Sequence, residues 1–201
     1  MPEPEHGHEA PRQQNMAVWL GLCAITFFYA TFIATNVYLR GWSPGKFTLD
    51  QSRVSNLPYY AVLELVLTFI VLLIAGALFR ARKWKALNAA LGAIGVLFVA
   101  YTLLQFQIVV MFSHMSPQVW TAYMPSSVIQ LLLSLVCVVH VAWIGWRSTF
   151  RNRRPLQALF PLGMNWWMYS VITSVVTYLL TDVMTVGSIT AWCGMHLGFT
   201  P

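Results

Sequence analysis

PYYAVLELVLTFIVLLIAGALFRARKWKALNAALGAIGVLFVAYTLLQFQIVVMF, from Pro58 to Phe112, consists of two long apolar runs joined by a short basic link. A hydrocarbon core about 30 Å thick takes roughly 20 residues of helix to cross, so Pro58 to Phe79 and Leu87 to Phe112 are each long enough to span a bilayer. Between them stand Arg80, Arg82, Lys83 and Lys85. The same pattern continues on both sides, with further runs at Ala17 to Tyr38, Ser127 to Trp146 and Asn165 to Val186. Acidic or imidazole side chains interrupt the five runs only at Glu64, His140 and Asp182. The expected fold is all-α: a polytopic bundle of five transmembrane helices.

Orientation follows from the basic residues, which accumulate on the cytoplasmic side of membrane proteins. Arg12 precedes the first run, the four basic residues above separate the second from the third, and Arg147, Arg151, Arg153 and Arg154 separate the fourth from the fifth. The opposite side has only Arg40, Lys46 and Arg53. This predicts a cytoplasmic N-terminus and an outward C-terminus. It divides the chain into a flexible cytoplasmic tail (1–15), a five-helix transmembrane domain (16–186) and a short apolar outer tail (187–201). With 58% hydrophobic and 9% charged residues there is too little polar surface to cover a soluble globule. The net charge of +6 lies beside the membrane runs, where anionic headgroups attract it, so phospholipids are expected partners and nucleic acid is not. The polar first fifteen residues do not resemble a secretory signal. Without a CxxC pair among Cys23, Cys137 and Cys193, a thiol oxidoreductase is not expected.

Short links make consecutive helices antiparallel neighbours. Membrane helices approach one another through small residues, which predicts that Gly21, Ala24, Ala30, Thr31, Ala34 and Thr35 in the first run face protein, as do Ala89, Gly92, Ala93 and Gly95 in the third. Trp42, Trp120, Trp146, Trp166 and Trp167 are expected as an interfacial belt. Counted along the helices, Glu64 lies about 9 Å and Asp182 about 6 Å below the outer ends of their runs. Gln105, Gln107 and Asn36 come to similar depth, so an outer polar cluster is expected, with Glu64 hydrogen-bonded to Gln105 or paired with a partner subunit. His140 stands alone in its run, whereas a membrane haem is usually held by two facing histidines, so it is read as a hydrogen-bonded structural residue. His114, Cys193, Met195 and His196 form a soft but unspecific ligand set near the outer face.

The stretch WLGLCAITFFYATFIATNVYLR, Trp19 to Arg40, resembles the opening helix of five-helix subunit III of the haem-copper oxidases, with Trp19 at its start and Arg40 at its end. RARKWKALNAALGAIGVLFVAYTLLQ (Arg80 to Gln105) is similar to that family's basic loop and following helix. VCVVHVAWIG (Val136 to Gly145) is similar to its histidine-bearing helix, with His140 at the second histidine. Ile25 and Cys137 occupy the places of a buried Glu and the first histidine. NWWMYSVITSVVTYLL, Asn165 to Leu180, keeps the Trp and Tyr of the last helix but not its His and Asp pattern.

The resemblance implies a non-catalytic, lipid-binding subunit of a membrane respiratory complex, related to cytochrome c or quinol oxidases and to nitric oxide reductase. It would stabilise a catalytic, haem-bearing subunit in the cytoplasmic (inner) membrane. The chain itself would bind no cofactor or metal and hold no catalytic residue, with haem and copper carried by the partner. Glu64, His140, Asp182, Gln105, Arg40 and Trp19 would serve as polar, lipid or subunit contacts. A reading from another class is a small ion transporter or channel built on Glu64, Asp182 and the outer amides. No run contains an internal proline, and such a break would favour transport. A haem-bearing quinol-oxidising anchor is the third, against which the single histidine counts.

Overall fold

In the computed structural model, residues 9–47, 56–149 and 154–183 are described. The helices are α1 (Glu9–Trp42), α2 (Pro44–Phe47), α3 (Leu57–Arg80), α4 (Trp84–Ser113), α5 (Pro117–Thr149) and α6 (Arg154–Tyr178), and α6 runs on into a π-helical turn, Leu179–Val183. No strand occurs among the described residues. In α4 the buried side chains are Leu87, Leu91, Ile94, Phe98, Tyr101, Gln105, Ile108 and Phe112, at alternating steps of four and three. That 3.5-residue repeat turns one stripe of the helix toward its neighbours throughout its length, as in a left-handed coiled coil. Ala61, Glu64, Leu65, Thr68, Leu72 and Ala75 make the facing stripe of α3.

Contacts close α3, α4, α5 and α6 into a ring: α3 packs on α4 and α6, and α5 packs on α4 and α6. Helix α1 lies outside this ring against α5 and α6. Its buried residues Leu22, Tyr29 and Asn36 recur once every two turns, with Arg40 one turn beyond, so only a narrow seam touches protein. Four segments are long and apolar enough to cross a membrane: Met16–Trp42 in α1, α3, α4 and Pro117–Arg147 in α5. The protein is therefore a multi-pass membrane protein, with α6 as a fifth long helix in the same bundle.

Several expectations are corrected. Ala24, Ala30, Thr31, Ala34 and Thr35 are exposed, as are Ala89, Gly92 and Ala93, while Gly21 and Gly95 are half-buried. The small-residue faces thus point mostly away from the bundle, because larger side chains already fill its seams. Helix α5 begins at Pro117, so the expected outer loop from Ser113 to Ser126 shrinks to His114–Ser116 and helix α5 contains Pro125. Helix α6 begins at Arg154 and contains Pro161. Trp167 is fully buried inside the bundle, which removes it from an interfacial belt, and Trp166 is half-buried, whereas Trp42, Trp120 and Trp146 are exposed. Helix α1 begins at Glu9, inside the segment expected as a tail. The first eight residues, loop residues 48–55 and the outer tail 187–201 lie outside the described residues.

The α3–α4 link shows how three residues reverse the chain. Arg82 N–H donates to Phe79 O and Lys83 N–H to Leu78 O, with Arg82 at φ 55°. This is a Schellman closure, which usually places glycine where Arg82 stands. Gly163 makes the tightest helix contact: a Cβ there would lie 3.0 Å from Ile144 Cδ1 and 3.1 Å from the Trp167 ring.

Candidate functional site

Polar side chains from all five long helices meet inside the bundle, around Tyr101. Tyr101 OH accepts from Gln105 Nε2 at 2.7 Å, one helical turn along α4. The same nitrogen reaches Gln130 Oε1 on α5 at 2.8 Å and the Tyr178 hydroxyl on α6. Ser174 on α6 sits beside the Tyr101 and Tyr29 hydroxyls without reaching hydrogen-bond geometry to either. On α3, Glu64 lies within electrostatic range of Tyr101, and its Oε1 accepts from Thr68 Oγ1 at 2.8 Å. Glu64 is 8% exposed and Gln105 fully buried.

This centre is under-satisfied. Among the described residues, Glu64 Oε2, Gln105 Oε1, Tyr29 OH and Ser174 Oγ are buried without a hydrogen-bond partner. Each such group costs about 1 to 3 kcal/mol if left dry. Turning the Gln105 amide over would let its oxygen accept from both tyrosines, but that oxygen would then face Gln130 Oε1 unless the Gln130 amide turned too, and the Gln105 NH₂ would face the unsatisfied side. One end of the amide therefore lacks a protein partner in either orientation.

A second polar tier pins α1 to the ring at two irregular stretches of backbone. Proline has no N–H and disturbs carbonyls a turn before it, and in α5 Asn36 Nδ2 donates to Ala122 O at 3.0 Å, three residues ahead of Pro125. In the π-turn, Arg40 Nη1 donates to Thr181 O at 2.7 Å and Leu180 O at 3.3 Å. It also donates to Asn36 Oδ1 at 3.2 Å, and the guanidinium lies over the Tyr123 ring. At 3% exposure, Arg40 is a buried cation rather than a loop charge. Toward the other end of α1, the Thr26 and Tyr169 hydroxyls are 2.7 Å apart.

The expected outer cluster is thus divided. Gln105 joins Glu64 around Tyr101, but Glu64 bonds Thr68 and not Gln105. Asn36 joins Arg40 instead, and Gln107 is exposed. The side chain of Asp182 lies outside the described residues, as do Cys193, Met195 and His196 of the expected outer ligand set. His140 makes ring contacts with Trp143 and Trp167 and no hydrogen bond to a described residue, which corrects its hydrogen-bonded reading. Cys137 is buried beside Ser170. Trp19 is exposed. Among the described residues no three His, Cys, Asp or Glu side chains come together as a metal site.

Tyr29, Gln130, Ser174 and Tyr178 escape a reading based on charge alone. For Ser174 the signal is periodicity: Ser170, Ser174, Thr177 and Thr181 form a buried hydroxyl stripe along α6 and its π-turn. Near midbundle, Ile25, Phe28, Ile129, Leu132, Leu133, Val136 and Trp166 line an apolar groove of about 370 Å³ between α1, α5 and α6. Compared with protein-family models, curated proteins and solved structures, the chain has no match.

Proposed function

We propose that this chain is a non-catalytic subunit of a membrane respiratory complex, a haem-copper oxidase or its nitric-oxide-reducing relative, which it stabilises by packing against the catalytic subunit. The observation that carries the reading is the outward placement of small residues. Ala24, Ala30, Thr31, Ala34 and Thr35 on α1 and Ala89, Gly92 and Ala93 on α4 are exposed within apolar helices. Faces of this kind let a second backbone approach closely where lipid offers no hydrophobic drive for association. The Trp19 to Arg40 sequence resemblance supplies the kind of partner, a haem-bearing catalytic subunit. The α1, α5 and α6 groove has an all-hydrophobic lining that suits a phospholipid acyl chain.

Five membrane crossings with a cytoplasmic N-terminus complete the proposal, α6 making the fifth. The basic residues support it: Arg80, Arg82, Lys83 and Lys85 surround the α3–α4 link, and Arg147 ends α5 at the same side of the bundle. Haem and copper belong to the partner. Affinity purification of the tagged chain in mild detergent tests the reading. It expects a large haem-bearing membrane subunit to copurify and the Soret absorbance to remain with that subunit when the two are separated. A chain that purifies without any haem protein, or that retains a Soret band alone, overturns it.

A further inference from the structure

We propose that Glu64 and the polar groups around Tyr101 form a hydrated proton-exchange site, open toward the α6 π-turn end of the bundle and closed toward its basic end. The site goes beyond a scaffolding role and does not depend on which complex the chain joins.

Four helices contribute a buried polar atom that no described residue satisfies: Tyr29 OH from α1, Glu64 Oε2 from α3, Gln105 Oε1 from α4 and Ser174 Oγ from α6. All four side chains neighbour Tyr101. Buried water characteristically bridges such groups, making about three hydrogen bonds each. Neither reorientation of the Gln105 amide nor the Thr68 bond removes the need for a further partner.

The proposed access is one-sided. From this centre the buried hydroxyls of Ser174, Thr177 and Thr181 continue along α6 to the π-turn, where Arg40 holds the Leu180 and Thr181 carbonyls. Toward the basic link the buried hydroxyls end at Thr68 and Ser170, and beyond them the interior is Leu72, Ala75, Leu91, Ile94, Phe98 and Trp167. The proposed entry for water and protons is therefore the π-turn end, with the barrier at the level of Phe98.

Glu64 is the acid of the site. The titratable group that interacts with it is Tyr101 on α4, and around Tyr101 stand Tyr178 on α6 and Tyr29 on α1, with Cys137 on α5 behind Tyr29. Arg40 is the charged group of the outer tier. Exchange breaks the Glu64 O–H bond as a water accepts the proton, and the bond re-forms with a proton from a second water. No electron moves and no other reactant is needed.

Infrared difference spectroscopy of the purified full chain in lipid, transferred from H₂O to D₂O, tests this. The expected result is a protonated-carboxyl C=O band that shifts within minutes and is missing in Glu64→Gln. In Gln105→Leu the same band should shift at least tenfold more slowly, because the hydrogen-bonded route is cut. No Glu64 band at any pH from acid to neutral overturns the proposal. So does a band that does not exchange in a day, or one that exchanges at an unchanged rate in Gln105→Leu. Proton flux across liposomes carrying the wild-type chain would overturn the closed end. These outcomes are independent of what copurifies with the chain.

Discussion

Replacing Arg40 with Met should loosen the docking of α1 without dissolving the four-helix ring. The side chain donates to Thr181 O at 2.7 Å, Asn36 Oδ1 at 3.2 Å and Leu180 O at 3.3 Å, and lies 5.9 Å from the Tyr123 ring centroid. Hydrogen bonds between membrane helices contribute about 0.6 kcal/mol on average and at most about 1.7. A partly desolvated cation–π contact adds roughly 0.5 to 1 kcal/mol. Arg40→Met should therefore cost about 2 to 6 kcal/mol. Arg40→Lys should recover only part, because an ammonium keeps the charge and can donate to the same carbonyls but loses the planar group that lies over the Tyr123 ring. Equilibrium unfolding in mixed micelles of dodecyl maltoside and dodecyl sulfate measures both. A spin label on the exposed Cys23, paired with one on α5, reports the distance of α1 from the ring. A loss below about 0.5 kcal/mol for Arg40→Met, with the α1 distance unchanged, would refute the claim that this buried cation fastens α1.

Arg82→Gly should stabilise the fold by about 0.5 to 1 kcal/mol in the same titration, since it removes a left-handed arginine at φ 55° and offsets part of the gain through the freer unfolded chain. Gly163→Val should destabilise by about 1 to 3 kcal/mol through overpacking against Ile144 and Trp167, and a neutral result would show that α5 and α6 are not in close contact there. In a Cys193→Ser background solubilised in detergent at mildly alkaline pH, the membrane-permeant N-ethylmaleimide should modify Cys23, exposed on the outside of the bundle, at least tenfold faster than the buried Cys137, read by mass spectrometry of the intact and digested chain. Equal rates would place Cys137 outside the core.

Apolar runs and basic links were legible in the sequence because hydropathy and charge are local properties, and α3 and α4 follow Pro58 to Phe112 closely. Facing was less legible. In lipid, protein-facing and lipid-facing sides are both apolar, so small residues suggested the buried side of α1. Its seam is instead Leu22, Tyr29, Asn36 and Arg40. Helix length was obscured by proline: Pro125 and Pro161 lie inside α5 and α6. In membrane helices neighbouring side chains can support the backbone around such a proline, as Asn36 does at Ala122, one residue past the carbonyl that Pro125 leaves without a donor. Glu64 and Gln105 were picked out as candidates because polar groups are conspicuous in apolar runs. Tyr101 and Tyr178 were not, because tyrosine is ordinary at membrane interfaces and only tertiary contact shows these two to be central. Arg40 counted as an outer charge in the sequence, and burial makes it an internal fastener.

The central proposal is that α6 crosses the membrane together with α1, α3, α4 and α5, which would place the two ends of the chain on opposite sides. Labelling of single cysteines at the two ends of the chain with a membrane-impermeant maleimide, in intact cells and in inverted vesicles, measures this directly. The account predicts that the N-terminal site reacts only in inverted vesicles and the C-terminal site only in intact cells. Reaction of both sites from the same side would contradict it.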